Sequence, residues 1–89
     1  NWHALAREHG YRVTAMARAV GVDRRTLERY FRAQFGLRPR AWLALIRGKA
    51  ACELLVLTNL PIKHIAWEVG FKREEIFTRA FKRWFGLTP

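Results

Sequence analysis

The side chains of this sequence that could do chemistry are mainly guanidinium and ammonium groups. Lysine and arginine number 17 against 7 aspartates and glutamates, which gives a net charge of +10 on 89 residues. So large an excess on so small a chain favours a polyanionic partner, either nucleic acid or an anionic membrane surface. Arginine suits the first partner well, because its guanidinium can donate two hydrogen bonds at once to the O6 and N7 atoms of guanine.

Residues that would support catalysis or metal binding are scattered or missing. The chain has no serine and no glycine-rich phosphate loop, its histidines (His3, His9 and His64) are scattered, and Cys52 is the only cysteine. One cysteine without an acidic pair at ligand spacing is too little for a zinc site. We therefore predict no catalytic residue, no metal and no cofactor, and we expect Cys52 to be a small buried apolar residue.

The hydropathy pattern excludes a membrane span. The longest apolar run, Ala41 to Ile46, is far shorter than the roughly 18 residues that a spanning helix needs, and no secretory signal is visible. We expect a cytoplasmic protein with no membrane partner. Since the sequence starts at Asn1 instead of methionine, we also expect it to be a fragment of a longer chain.

Helices must position the basic side chains. Residues 61–89 contain two runs of apolar residues at three- and four-residue spacing, separated by Gly70, which can take the positive φ of a tight turn. Two helices joined in this way form a helix-turn-helix, whose second helix can lie in a major groove. Taken alone, the pattern also fits a plain helical hairpin. The two runs are Ile62, Ile65, Ala66 and Val69, then Phe77, Ala80, Phe81, Trp84 and Phe85.

The same unit occurs earlier in the chain. Ala17, Val20 and Gly21 match residues 49 positions later, whereas the matches from Leu27 onward lie 50 positions later, so one residue is inserted just after the second turn. Repetition at a fixed period indicates one supersecondary unit used twice. The later matches pair Leu27, Arg29, Phe31, Phe35, Gly36, Leu37 and Pro39 with Phe77, Arg79, Phe81, Phe85, Gly86, Leu87 and Pro89.

These patterns predict three regions: a first subdomain at 1–39, a linker helix at 40–57 and a second subdomain at 58–89. Within the first we expect a helix over 2–9, a helix over 15–20 with Thr14 as its N-cap, and a helix over 24–35 capped by Asp23. Gly36 should end that third helix. Its inward residues are expected to be Leu27, Tyr30, Phe31 and Phe35.

Pro39 is expected to open the linker helix, where its missing N–H costs nothing. On a helical wheel this segment has two apolar stripes, which predicts a rod held between two bodies. Gly48 in its interior costs roughly 1 kcal/mol relative to alanine, and marks either close packing or a local weakness. The stripes are Leu43, Ile46, Ala50, Leu54 and Leu57, and Ala41, Leu45, Cys52 and Val56.

At this level of detail the sequence resembles the DNA-binding domain of the AraC/XylS family of bacterial transcription regulators, from about residue 4 to residue 89. The second unit carries the more specific form of the family signature, and the first a looser one. The matching residues are Ile65-Ala66, Val69-Gly70-Phe71, Phe77, Arg79, Phe81-Lys82 and Gly86 to Pro89, with Ala17, Gly21, Leu27, Arg29, Phe31, Gly36 and Pro39 in the first unit.

The resemblance implies an all-α, bilobed, homeodomain-like fold of about seven helices, with two helix-turn-helix subdomains joined by a long linker helix. The second helices, at about 24–35 and 73–85, would enter successive major grooves about 34 Å apart. It also implies an activator or, less often, a repressor. The implied partners are double-stranded DNA, RNA polymerase and a separate N-terminal effector-binding or dimerisation domain.

Carried over residue by residue, the resemblance implies base-facing side chains at Arg25, Glu28 and Arg29 in the first lobe and at Glu74, Glu75, Thr78 and Arg79 in the second. Other basic residues surround the two units and are expected to bind phosphates. They are Arg12, Arg32, Arg38, Arg40, Lys63, Lys72, Lys82 and Arg83.

Several alternatives stay open at the level of sequence. Each arginine could contact a phosphate instead of a base, and Arg29 and Arg79 could form internal ion pairs. Glu28 could orient Arg24, Arg25 or Arg32. Lys72 stands where the family often has a capping Ser or Asp, and the acidic Glu74 and Glu75 stand where uncharged polar residues are common.

Two other functions also fit the composition. A protein-interaction module could dock its basic helices on an acidic partner such as a polymerase subunit. A membrane-surface role would require exposed apolar residues, which here are needed for a core.

Overall fold

The computed structural model describes residues 1–89 and contains six helices and no strand. The predicted all-α class with two helix-turn-helix units and a long helix between them is confirmed. The helix count is one below the implied seven, and Gly86 ends the last helix in the left-handed conformation. The helices are α1 (Trp2–Glu8), α2 (Val13–Ala19), α3 (Arg24–Phe35), α4 (Pro39–Leu57), α5 (Ile62–Glu68) and α6 (Glu74–Phe85).

The duplication is visible in the helix boundaries. α2 and α5 each have 7 residues, and α3 and α6 each have 12. Residues 20–23 link the first pair and 69–73 the second, so the extra residue lies between α5 and α6, in agreement with the insertion predicted just after the second turn. Both turns close with the same backbone hydrogen bond, which joins residues five positions apart: Val22 N donates to Ala17 O (3.0 Å), and Phe71 N donates to Ala66 O (2.8 Å).

Glycines at the turns and helix ends take the conformation that their position requires. Gly21 and Gly70 have φ of 77° and 90° after the first helix of each pair, and Gly36 and Gly86 have φ of 70° and 73° after the second. A side chain is disfavoured there, because the Cβ of an L-residue crowds the neighbouring carbonyl. The predicted end of α3 at Gly36 is thus confirmed.

The predicted N-cap at Thr14 is wrong. α2 begins at Val13, and the extended residue before it is Arg12, whose side chain makes no capping bond. Gly10 and Tyr11 both have positive φ, which reverses the chain directly after α1, so α2 starts before Thr14 is reached. α1 itself has a cap that the sequence reading missed, since Asn1 Oδ1 accepts from the amides of His3 and Ala4 at 3.0 and 3.3 Å.

Residues 1–45 form one compact unit centred on Phe31. The Phe31 ring is fully buried, with the rings of Trp2, Phe35 and Trp42 at 4.9, 5.0 and 5.3 Å. Tyr30 and Phe35, which were expected to face inward, are exposed at 43% and 42% because they pack against this cluster from its rim. Trp42 is buried and was missed, although it lies three residues after Pro39 on the same helical face.

Residues 46–89 form a second compact unit. Its buried core joins Ala51 of α4 to both helices of the second pair, and Cys52, half-buried, packs against the edge of that core. The core residues are Ala51, Ile65, Ala66, Val69, Phe77 and Phe81.

The two apolar stripes predicted along α4 are only partly buried. The helix begins at Pro39 as expected, but Leu45 and Val56 are 61% and 80% exposed, and Leu57 is exposed as well. In each unit α4 buries a single face, and the second predicted stripe lies largely outside both faces. The buried faces carry Trp42 and Leu43 in the first unit and Gly48 and Ala51 in the second. No helix combines the length and apolar character that crossing a membrane requires.

Candidate nucleic-acid interface

The outward face of α3 is basic. Arg25 and Arg29 are exposed and lie four residues apart, on the side of the helix opposite the buried Leu27 and Phe31. Neither arginine forms an ion pair, so the internal pairing that the sequence left open for Arg29 is absent. Both guanidiniums are therefore available to an external acceptor.

Glu28 is the acidic member of this face. It is half-buried, and its Oε2 lies 3.8 Å from Arg24 Nε, one helical turn earlier. Of the three arginines that the sequence offered as its partner, the structure selects Arg24. This pairing occupies Glu28 with Arg24 and leaves Arg25 and Arg29 as the unpaired cations of the first turns.

Asp23 fixes the start of α3. Its Oδ1 accepts a hydrogen bond from Thr26 N at 2.7 Å, which confirms the predicted cap. The hydrogen bond from the Thr26 backbone amide lowers the pKa of the Asp23 carboxyl below its ordinary value, the Thr26 side chain adds to this, and the nearby charges of Arg29 and Arg25 contribute less. The carboxylate thus stays ionised and keeps the first turn of α3 in place.

The outward face of α6 has a different charge. Glu74, Glu75 and Arg79 are exposed and Thr78 is half-buried. Arg79 forms no ion pair. Glu75 and Arg79 lie four residues apart and opposite the buried Phe77 and Phe81, as Arg25 and Arg29 do on α3.

α6 starts without a side-chain cap. The capping position is Arg73, one residue later than the Lys72 that the sequence reading assigned to it, because the inserted residue lengthens the second turn. Arg73 Nε instead donates to Glu75 Oε1 at 2.6 Å. The backbone amide of Glu75 lowers the pKa of this carboxyl, and the bond from Arg73 lowers it further, so Glu75 is ionised at neutral pH.

Arg47 of α4 fixes the turn that precedes α6, and the sequence reading did not single it out. Its Nε donates to Val69 O at 2.8 Å, and its guanidinium carbon lies 4.0 Å from the centre of the Phe71 ring. The sequence pattern that could have identified it is a charged residue on the buried face of α4, four residues after Leu43 and four before Ala51. Arg47 thus ties α4 to both sides of the turn at Gly70.

The expected phosphate-binding residues are all exposed, and none of them forms an ion pair. They lie on or beside several different elements. Arg32, Lys82 and Arg83 belong to the helices that carry the outward faces, and Lys63 is the second residue of α5. The rest are Arg12, Arg38, Arg40 and Lys72.

The residues expected to face bases thus fall into two groups, one in each compact unit: Arg25, Glu28 and Arg29 on α3, and Glu74, Glu75, Thr78 and Arg79 on α6. Both groups lie on 12-residue helices whose opposite side packs into a core. No three histidine, cysteine or acidic side chains come together in a way that could hold a metal ion. The arrangement offers hydrogen-bond donors and acceptors on two helical surfaces.

Comparison with known proteins finds a helix-turn-helix family and transcriptional regulators among the relatives of this chain. A family model described as a helix-turn-helix domain matches residues 16–89. The chain is 35% identical over 80 residues to the virulence regulon transcriptional activator VirF of Yersinia enterocolitica, and 33% identical over 79 residues to the transcriptional regulator ExsA of Pseudomonas aeruginosa. These matches cover 90% and 89% of the chain but only 30% and 28% of the two relatives, so the chain spans less than a third of their length.

Solved structures share the fold. The DNA-binding domain of AdpA, crystallised with a target DNA, has a TM-score of 0.83 and 30% identity, with 98% of this chain and 81% of that one covered. The C-terminal domain of the response regulator yesN from Fusobacterium nucleatum has a TM-score of 0.88, with 99% and 88% covered. Its 23% identity supports a likeness of fold alone.

Proposed function

Because the chain belongs to the AraC/XylS family of helix-turn-helix transcription regulators, we propose that it binds double-stranded DNA in a sequence-dependent manner, with α3 and α6 in successive major grooves. The observation that carries this proposal is the duplicated 12-residue helix, which in both copies presents exposed and unpaired arginine on the side away from the core. A major groove is wide enough to admit such a helix, and it displays a different pattern of donors and acceptors for each base pair.

In this proposal the outward faces read bases. Arg25, Arg29 and Arg79 each donate two hydrogen bonds to a guanine, and Thr78 offers a hydroxyl. Glu74 and Glu75 are acceptors, since a carboxylate can accept from the N4 amino group of cytosine. Glu28 acts by orienting Arg24, because the two side chains already lie 3.8 Å apart.

The remaining exposed cations bind the DNA backbone. Eight basic residues surround the two faces (Arg12, Arg32, Arg38, Arg40, Lys63, Lys72, Lys82 and Arg83), and the chain as a whole carries a charge of +10. If about eight phosphates are neutralised, the logarithm of the binding constant should fall with the logarithm of the salt concentration at a slope of about −7.

The wider role is proposed by analogy with the relatives. VirF is named a transcriptional activator, and its chain is more than three times as long as the matched segment. We infer a cytoplasmic activator that also contacts RNA polymerase and has a further effector-binding or dimerisation domain, and we assign it no enzymatic activity. The alternative of a protein-interaction module becomes an outcome of the DNA-binding test.

The test is selection of bound sites from random duplex DNA, followed by mobility shift with unlabelled competitor. A sequence-dependent complex should survive an excess of unrelated duplex, whose binding is weaker by roughly 10³-fold or more. Absence of any complex at low salt would rule out the proposal and favour docking on an acidic protein.

A further inference from the structure

The first turns of α3 and α6 occupy equivalent places but carry opposite charges. α6 begins and ends 50 residues after α3, so Arg24 and Arg25 correspond to Glu74 and Glu75. Farther along the same face the charge is retained, because Arg29 corresponds to Arg79. The inversion is therefore confined to the start of the helix, whose first turn is the part of a recognition helix that contacts base edges in helix-turn-helix proteins.

Glu75 lies in the middle of the outward face, where Arg25 lies in α3. Successive residues of a helix are about 100° apart around its axis. Glu75 and Arg79 therefore lie on either side of the point diametrically opposite the buried Phe77, and Arg25 and Arg29 lie in the same way opposite Leu27. Glu74 lies about 100° from Glu75 around the helix axis, towards the side that packs into the core. An acidic residue that served only to complement the helix dipole would not need this central position, because any place in the first turn suffices.

The Glu75 carboxylate is held in place. Arg73 Nε donates to its Oε1 at 2.6 Å, and an ionised carboxylate keeps further lone pairs that can accept from a donor outside the protein. Arg73 is also the residue equivalent to Asp23 of the first unit. In the first unit, therefore, a carboxylate caps the helix and an arginine faces outward, and in the second an arginine precedes the helix and a carboxylate faces outward.

From this exchange we propose that the two helices select opposite bases at equivalent positions: Glu75 accepts from the N4 amino group of a cytosine where, in the other half-site, Arg25 donates to a guanine. This inference rests on the proposed DNA binding and makes it more specific. Arg73 is the positioning residue for Glu75. A carboxylate facing guanine would set acceptor against acceptor, so the second helix also rejects the base that the first prefers.

The experiment uses the 89-residue chain with Glu75→Gln, Glu75→Arg and the matched control Glu53→Gln, which removes the same charge from an exposed position on α4 of the same unit. The wild-type site is first selected from random duplex. Every position of that site is then changed to each of the other bases, and binding is measured by competition for each protein.

Wild-type protein should prefer cytosine over guanine at one position of one half-site by roughly 5- to 150-fold, the range of a single good base contact. Glu75→Gln should reduce that preference at that position alone, and Glu75→Arg should reverse it to guanine. Arg73→Ala should weaken the cytosine preference without reversing it. Glu53→Gln should leave every preference unchanged.

The inference would be overturned if Glu75→Arg raised affinity for all duplexes by the same factor, since the carboxylate would then act only by repelling phosphates. Unchanged preferences in both Glu75 variants would overturn it as well. Failure of the proposed function is a separate result, because wild-type protein would then yield no selected site at all.

Discussion

Gly48 of α4 lies directly beneath the ring of Phe85, the last residue of α6. A Cβ built on Gly48 would stand 3.0 Å from Phe85 Cζ and 3.4 Å from Cε2, closer than carbon atoms normally approach. Of the two explanations that the sequence allowed for this glycine, close packing is therefore the correct one. The missing side chain permits α4 and the end of α6 to touch.

This contact predicts a near-neutral Gly48→Ala variant. Alanine gains roughly 1 kcal/mol of helix propensity, but the Phe85 ring must move by a few tenths of an ångström to admit its Cβ, and that displacement offsets most of the gain. In a Phe85→Leu background the obstacle is smaller, so Gly48→Ala should stabilise by about 1 kcal/mol. Urea denaturation of wild type, Gly48→Ala, Phe85→Leu and the double variant measures the effect of Gly48→Ala on the free energy of unfolding in each background. A full gain in the wild-type background would mean that the ring offers no resistance.

Arg47 predicts a link between stability and recognition. Arg47→Gln removes a charge-assisted hydrogen bond to Val69 O and the contact with the Phe71 ring, which should cost about 1.5–3 kcal/mol. Arg47→Lys should be less destabilising than Arg47→Gln, because an ammonium group can still lie over the ring. It should remain less stable than wild type, because lysine lacks the planar guanidinium group. Denaturation gives the stability, and footprinting should show weaker protection of the half-site bound by α6.

The control for Arg47 is Lys49→Gln, which removes one charge from an exposed position two residues away. It should alter neither stability nor the footprint of either half-site beyond the small general effect of charge. Equal weakening of both half-sites by Arg47→Gln would contradict a role specific to the turn before α6.

Base readers and phosphate binders should respond differently to truncation. Arg79→Ala should lose about 1–3 kcal/mol of discrimination at one base pair, because a bidentate contact to guanine disappears. Lys63→Ala should weaken binding to all duplexes alike and make the salt slope shallower by about 0.9. Competition assays on single-base variants at two salt concentrations distinguish the two patterns. A uniform loss from Arg79→Ala would move Arg79 to the phosphate-binding group.

Asp23 predicts a pH-dependent contribution to stability. Its pKa is lowered in the folded chain, so its stabilising effect is fully present above the ordinary value of 3.8 and is lost as the pH falls through the folded value. Asp23→Ala should lower the melting temperature by roughly 4–8 °C at pH 7. The gap between the two proteins should narrow below about pH 4. A gap that stays constant down to pH 2 would show that the carboxylate charge plays no part.

The helices and their ends were largely predictable because local signals determine them. The stop of α3 at Gly36 and the cap at Asp23 depend on residues within one turn of the boundary, and so does the start of α4 at Pro39. Thr14 failed as a cap because the positive φ of Tyr11, which has no reliable signal in a single sequence, reverses the chain early.

Burial was less predictable because it depends on which partner covers each face. Leu45 and Val56 carry the same periodic signal as Leu43, yet only Leu43 is buried. The pairs formed by Arg47 with Val69 and by Arg73 with Glu75 depend on side-chain geometry at the turns, and composition alone gave no means of choosing them.

Each compact unit has a buried core of its own, one around Phe31 and one around Phe77. A substitution on the outward face of α3 therefore need not disturb the packing that supports α6, and the reverse also holds. The two halves of such a protein are free to diverge separately under selection, so a new target can be acquired one half at a time. The opposite charges of Arg25 and Glu75, at equivalent positions of the repeat, are an outcome expected of such separate divergence.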